Sequence, residues 1–311
     1  MEYRELGKSG IKVSTIGLGT WAIGGMFWGK TDDAEAIKAI EASIDYGINL
    51  IDTAPAYGTG HSEKLVGKAI KGKREKVVVA TKCGLDRKKG FIIDLKPKKI
   101  RQDLEESLMF LNTDYIDLYQ CHWPDPKTPI EDTMEELLKM QSEGKIRAIG
   151  VSNFDLELLK KTVSIAPIAS LQPHYSLLKR DIEKDILPFC RQNNIGILAY
   201  GSLGSGILTG KYKKRPSFAG NDARSFFYPF YKEPYWSKTQ ELLKEMEKIA
   251  NKYDRPLSHI AINWIRQQEG ITSALVGAKN ASQAKSNAQA AEWQLSADEL
   301  AYLSEKATAI F

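Results

Sequence analysis

Short, nearly continuous apolar runs recur along the chain, and most give way to a stretch whose apolar residues return every three or four positions. The runs are TIGLGT (15–20), INLIDTA (48–54), VVVATK (77–82), IDLYQCH (116–122), AIGVSN (148–153), ASLQP (169–173), GILAYG (196–201) and SALVGA (273–278). Apolar residues at consecutive positions fit strands covered on both faces, as in a parallel sheet. Between them the spacing predicts helices over 32–47, 62–70, 96–111, 129–145, 156–163, 181–194, 258–268 and 281–291. The first opens on acids and stops at Gly47, as a helix should. This alternation predicts an α/β fold, a (β/α)8 TIM barrel, whose core usually takes about 250 residues. Residues 3–14 read as an N-terminal β-hairpin turning at Ser9-Gly10, 204–236 as a long loop after strand seven, and 296–310 as a C-terminal helix capped by Ser296. No shift in composition divides the chain, so residues 1–311 are expected to form a single domain. A doubly wound sheet is the competing fold, but GLGTWAIGG (17–25) lacks the spacing of a dinucleotide fingerprint and opens no helix.

Composition narrows the function. The chain is 42% hydrophobic and 27% charged, with 44 basic and 39 acidic residues giving a net charge of +5. The basic excess is scattered, and its densest run, KGKREK (71–76), reads as a solvated turn. Nucleic-acid binding would want a concentrated basic stripe; a small anionic ligand held locally suits the excess better. No 18-residue apolar run exists and MEYRELGKSG (1–10) has no apolar signal core, so the expectation is a cytoplasmic protein without a membrane partner. Three cysteines form no CxxC and four histidines form no HxxxH pair, so neither a disulfide framework nor a metal site is expected.

Barrels of this class carry their chemistry at the C-terminal ends of the strands. Those ends bear Asp52 with Tyr57 just beyond it, Lys82, His122-Trp123-Pro124, Ser152-Asn153, Gln172, Tyr200-Gly201-Ser202 and Gly277-Ala278-Lys279. A carboxylate on a strand entering a core is costly without a partner, so Asp52 needs one. Carbonyl reduction by hydride needs a proton for the developing alkoxide, and a phenol is a sluggish acid at neutral pH. A nearby ammonium favours the tyrosinate; at about 4 Å and an effective dielectric near 20 the attraction is roughly 4 kcal/mol at most.

Taken in order, GLGTW (17–21), DTAPAYG (52–58), VATK (79–82), HWP (122–124) and GVSNF (150–154) resemble the aldo-keto reductase family. The likeness extends from the hairpin to the helix after VGAKNASQ (276–283) and is strongest to the bacterial general-stress, aldehyde-reducing branch. It implies a catalytic quartet of Asp52, Tyr57, Lys82 and His122. Tyr57 would be the general acid, Lys82 paired with Asp52 would lower its pKa, and His122 would polarise the carbonyl. It also implies NADPH bound in extended form across the strand ends. Ser152, Asn153 and Gln172 would hold the carboxamide, Tyr200 would stack on the nicotinamide, and Gly19, Thr20 and Trp21 would line the same end. The pyrophosphate would lie by Gly201, Ser202, Leu203, Gly204, Ser205 and Gly206, with Lys211 adding charge. Gly277, Lys279, Gln283 and Asn287, joined by Arg224, would grip the adenosine 2′-phosphate and adenine; a lysine there argues for NADPH over NADH.

Substrate choice belongs to the loops. Trp21, Trp28 and Trp123, with Tyr57, read as an aromatic pocket for planar aldehydes or short carbonyls. FFYPFYKEPYW (226–236) reads either as a lid or as a packed surface loop. QPHYSLLKR (172–180) departs from the branch's pattern at His174 and Ser176, and His174 either sits by the nicotinamide or faces a loop. Cys83 and Cys121 alternate with Lys82 and His122, so they read as packing residues. The leading expectation is an NADPH-dependent aldehyde and ketone reductase, a monomer with a small-molecule substrate. The alternatives are a nicotinamide-binding redox sensor of the same fold and a sugar-phosphate isomerase.

Overall fold

The computed structural model describes residues 1–29, 31–86 and 91–311. Eight parallel strands close a barrel in chain order: β1 (Ile16–Gly19), β2 (Leu50–Asp52), β3 (Val78–Cys83), β4 (Ile116–Cys121), β5 (Ile146–Ser152), β6 (Ile168–Gln172), β7 (Gly196–Ala199) and β8 (Ile271–Gly277), with β8 returning to β1. Each lies in one of the eight predicted runs or overlaps it. Around them run α1 (Asp33–Asp45), α2 (His61–Ala69), α3 (Pro97–Leu111), α4 (Ile130–Ser142), α5 (Leu156–Val163), α6 (Ile186–Asn193), α7 (Tyr235–Tyr253), α8 (Leu257–Arg266), α9 (Ala281–Gln289) and α10 (Ala297–Ile310). The fold is the expected (β/α)8 barrel. Among the described residues no helix is long and apolar enough to cross a membrane.

The helix starts are legible in side chains. Asp32 accepts from the Ala34 and Glu35 amides to open α1. Ser296 and Glu299 form a reciprocal capping box on α10. The N-terminal hairpin pairs Tyr3–Glu5 with Lys12–Ser14. Its Leu6, Ile11 and Val13 join Leu50, Val78, Leu118, Leu198 and Leu275 in the apolar plug of the barrel.

Three segments differ from expectation. The 181–194 helix is split: a turn at Asp181–Glu183 precedes α6, which restarts at its cap Asp185. Pro188 forces this, because proline is tolerated only in a first turn. The loop after β7 holds a 3-10 turn at Gly204–Thr209, a one-turn helix at Ala223–Phe226 and a further turn at Pro229–Tyr231. It then runs into α7, the longest helix, which the apolar runs did not announce. A short hairpin, Leu85–Asp86 with Ile92–Ile93, follows β3 and was also not anticipated.

Behind β3, α2 buries Glu63 completely, and Thr81 donates to its Oε1 at 2.6 Å. Burial pushes this carboxyl up to about 7, against the hydrogen bond from Thr81. A carboxyl whose folded pKa is raised stabilises the fold while protonated, and that contribution is lost as pH rises from about 4.5 to about 7. Glu63→Gln is therefore expected to flatten the fall in melting temperature between pH 5 and 8 (roughly that window). Melting curves across the range check it; a variant as pH-sensitive as the parent contradicts it.

Candidate active site

The C-terminal strand ends open into a cavity of about 640 Å3. At its floor Lys82 is 1% exposed and Asp52 3%. The Lys82 ammonium donates to Asp52 Oδ2 at 2.7 Å, to the Thr53 carbonyl at 3.0 Å and to the Tyr57 hydroxyl at 3.1 Å. Burial works against this charge, yet Asp52 and Tyr57 together hold Lys82 above the ordinary lysine value. The His122 ring stands edge-on to Tyr57, centroids 5.9 Å apart and planes at 82°. The four expected catalytic residues are thus brought together, with Tyr57 and His122 facing the cavity and Lys82 beneath them.

The second oxygen of Asp52 exposes a residue the sequence reading missed. Oδ1 accepts from Gln172 Nε2 at 2.8 Å and from Gln120 Nε2 at 3.3 Å, and Gln172 also donates to Gln120 Oε1 at 3.2 Å. Gln120 lies two positions before His122 on β4, and that spacing puts both on one face of a strand. Room for the pair comes from Gly150 on β5, where a Cβ would sit 2.6 Å from Ser170 Oγ and 2.9 Å from Gln120 Cγ.

Every expected cofactor residue except Gly204 lines the cavity. Gly204 has φ +54, and a Cβ there would meet Leu178 at 2.7 Å, so it turns the loop rather than facing the cleft. Thr20 lines the cavity, but its hydroxyl donates to the Asp52 carbonyl at 2.9 Å. The Tyr200 hydroxyl donates to Asn153 Oδ1 at 2.9 Å, and Asn153 Nδ2 donates to the His122 carbonyl at 3.1 Å and to Ser152 Oγ at 3.0 Å. His174 stacks on Tyr200 at 5.1 Å and 18°, and meets Tyr228 and Phe230 edge-on. Its Nε2 is buried without a partner, and burial, with Lys179 adding, lowers the ring to about 4, so the imidazole is neutral.

Lys211, Arg224 and Lys279 all line the cavity, close enough for their charges to act on one another. Burial lowers the Lys279 pKa, and the Arg224 and Lys211 charges add to that. Asp222 holds Arg224 through 2.8 and 2.6 Å contacts, and Lys279 Nζ donates to the Trp28 carbonyl at 2.8 Å. Gly206, with φ +97, presents bare backbone here; a Cβ would point at the Lys211 ammonium 3.7 Å away. A glycine-lined turn with three cations suits a polyanionic ligand. These residues fit an extended dinucleotide phosphate.

Trp28, whose carbonyl takes Lys279, meets Trp21 edge-on at 5.3 Å, and Trp21 stacks over Tyr57 at 6.0 Å. Trp123 packs, like Trp21, against the cluster of Ala54, Ala56, Tyr57 and Leu85, and all three tryptophans line the cavity. The 226–236 segment is divided. Tyr228, Phe230, Tyr231 and Trp236 are buried in the core, while Phe226 and Phe227 stay at the mouth. Cys83 and Cys121 belong to the strand–helix core, as expected of packing residues.

Comparison with known proteins follows this geometry. The sequence model of the Aldo/keto reductase family matches residues 15–308. Aldo-keto reductase YhdN of Bacillus subtilis is 44% identical over 303 residues, 96% of this chain and 91% of its own. The NADH-specific methylglyoxal reductase of Escherichia coli is 37% identical, covering 98% of each chain. Among solved structures, the glycerol dehydrogenase AKR11B4 from Gluconobacter oxydans superposes with a TM-score of 0.89 at 41% identity, covering 99% of this chain and 95% of that one.

Removing one member of a buried ion pair strands the other. Lys82→Met is expected to cost about 3–5 kcal/mol of unfolding free energy, and Asp52→Asn/Lys82→Met to recover part of it. Urea unfolding of both variants checks this; a double variant no more stable than the single contradicts it.

Proposed function

Because the chain belongs to the aldo/keto reductase family, we propose that it is an NADPH-dependent reductase of aldehydes and ketones in which Tyr57 is the general acid. One observation carries the reading: the Lys82 ammonium lies between Asp52 and the Tyr57 hydroxyl at the floor of the cavity. When bound, the reduced nicotinamide supplies the hydride. This chain supplies the rest. Tyr57 and His122 share one wall, where two donors can meet one carbonyl oxygen and stabilise the charge that develops on it. Tyr57 delivers its proton to that oxygen, and Lys82 stabilises the tyrosinate left behind. Asp52 keeps Lys82 charged and aimed. Tyr200, fixed by His174 and Asn153, offers a flat ring for the nicotinamide, and Ser152 and Asn153 stand beside it. Gln172 spends its amide nitrogen on Asp52. The role proposed for it is therefore orienting the ion pair, with its oxygen as the group toward the carboxamide.

The choice of NADPH rests on this chain's own cations, since the relative from Escherichia coli is named as NADH-specific. Lys279, Arg224 and Lys211 supply the positive end that a 2′-phosphate wants, and no acidic side chain stands in for Lys279. Arg224 is already held by Asp222, which makes Lys279 the better reader of the extra phosphate.

Two outcomes are expected. Tyr57→Phe keeps NADPH affinity within about twofold and loses at least about a thousandfold in kcat, consistent with removal of the only acid of a general-acid step. Fluorescence titration and single-turnover absorbance measure both, and undiminished turnover would sink the mechanism. Lys279→Glu raises the NADPH dissociation constant by at least about tenfold more than that of NADH. Equal effects on the two cofactors contradict the 2′-phosphate assignment.

A further inference from the structure

We propose that Gln120 is a positioning residue for the proton transfer. By donating to Asp52 Oδ1 it draws the carboxylate's charge away from Lys82, and so leaves more of the ammonium's field for Tyr57. The proposal rests on the reductase reading and deepens it by naming a residue that sets the strength of its acid.

Layering is the first observation. Side chains two apart on a strand share a face. Along β4, Leu118 joins the apolar plug, Gln120 follows at the ion pair, and His122 reaches the cavity. Asp52, Gln120 and Gln172 come from β2, β4 and β6, alternate strands of the kind that share one layer of a (β/α)8 barrel. Between β4 and β6 lies Gly150 of β5, paired in register with both Gln120 and Ser170. A side chain there would strike Gln120 Cγ and Ser170 Oγ, so the glycine clears the way across the barrel.

Donor count is the second. Gln120 is fully buried, and a buried amide is costly unless its bonds are made. An ionised carboxylate only accepts, so both glutamines turn nitrogen toward Asp52 Oδ1. The second N–H of Gln172 then needs an acceptor, and Gln120 Oε1 supplies it at 3.2 Å. The three side chains close a triangle in which neither amide can flip without setting oxygen against oxygen.

Charge is the third. Lys82 stands between Asp52 Oδ2 at 2.7 Å and the Tyr57 hydroxyl at 3.1 Å, so the two share one ammonium. An N–H on the other carboxylate oxygen brings positive potential to Asp52 and weakens its offset of Lys82. Tyr57 is faced by Asp52 from β2, Lys82 from β3, His122 after β4, and Tyr200 and Tyr228 after β7. Histidine titrates near neutral pH. Against burial, Asp52 and Tyr57 hold Lys82 above its ordinary value, and burial pushes Tyr200 and Tyr228 up. A loss of activity at alkaline pH therefore reports Tyr57.

The test is the pH profile of kcat/KM for propanal with NADPH in the wild type, Gln120→Leu and Gln120→Met. Both variants fill the amide's place without a donor, and using two separates the lost donor from a packing defect. Each is expected to move the alkaline limb up by about half a pH unit, roughly a threefold change in the ionisation equilibrium. Each is also expected to lower kcat about three- to tenfold, with KM for propanal and the NADPH dissociation constant within about twofold of wild type. Added to Asp52→Asn/Lys82→Met, Gln120→Leu is expected to leave the alkaline limb of that background in place, since no ammonium remains to be shared. A limb unmoved in both single variants, or moved equally with and without the ion pair, would overturn the role of Gln120. Tight NADPH binding by the wild type with no turnover of propanal, benzaldehyde or methylglyoxal would overturn the reductase reading itself.

Discussion

The structure depends on an ammonium held out of water. Lys82 is a full charge at the closed floor of the barrel, and it is tolerable only because each contact of its partner is also satisfied. Asp52 takes Lys82 on one oxygen and the amides of Gln172 and Gln120 on the other. One ion pair therefore ties β2, β3, β4 and β6 together across the barrel. Such a pair contributes little net stability over an apolar isostere. What it provides is a charge aimed at Tyr57, in surroundings dry enough for that charge to matter. The missing side chain at Gly150, whose place Gln120 and Ser170 take, and the backbone carbonyl of Thr53 serve the same end.

From that floor the lining leads past Tyr200 to bare glycine backbone and three cations, which suit phosphates, and past Trp21 to Trp28, whose ring lies under Arg224 and whose carbonyl takes Lys279. The Tyr200 ring is backed by neutral His174 and its hydroxyl is held by Asn153, whose own amide reaches the backbone of His122. The ring proposed to receive the nicotinamide is thus linked to the group proposed to polarise the carbonyl, and through His174 to the aromatic segment after β7.

Much of this was legible in the chain. Barrel strands are covered on both faces, so they stand out as unbroken apolar runs, and the polar residue ending each run marks the site. Asp52, Lys82 and His122 lie at the ends of such runs and Tyr57 just beyond one, and the resemblance to the aldo-keto reductases is what implied the catalytic roles of the four. Gln120 could not, because its role depends on which side chains cross the barrel; its parity with His122 was the available signal. The hairpin after β3 has strands too short to show a period. The α7 pattern was present in Trp236, Thr239, Leu242, Leu243, Met246, Ile249 and Ala250, all buried on one face, but the aromatic run before it drew the reading toward a loop. Gly204 shows the limit of glycine as a signal. It turns the backbone, while Gly206 two residues on faces the cleft.

The most direct measurement is the pH dependence of kcat/KM for aldehyde reduction in the wild type and in the Asp52→Asn/Lys82→Met double variant, which keeps the floor of the site free of unpaired charge. If the ammonium is what makes Tyr57 an effective acid, the loss of activity at high pH should move further toward alkaline pH in the double variant, together with a large fall in the plateau. Profiles with the same alkaline limb in both proteins would contradict the account, since Lys82 would then have no hold on the proton that Tyr57 delivers.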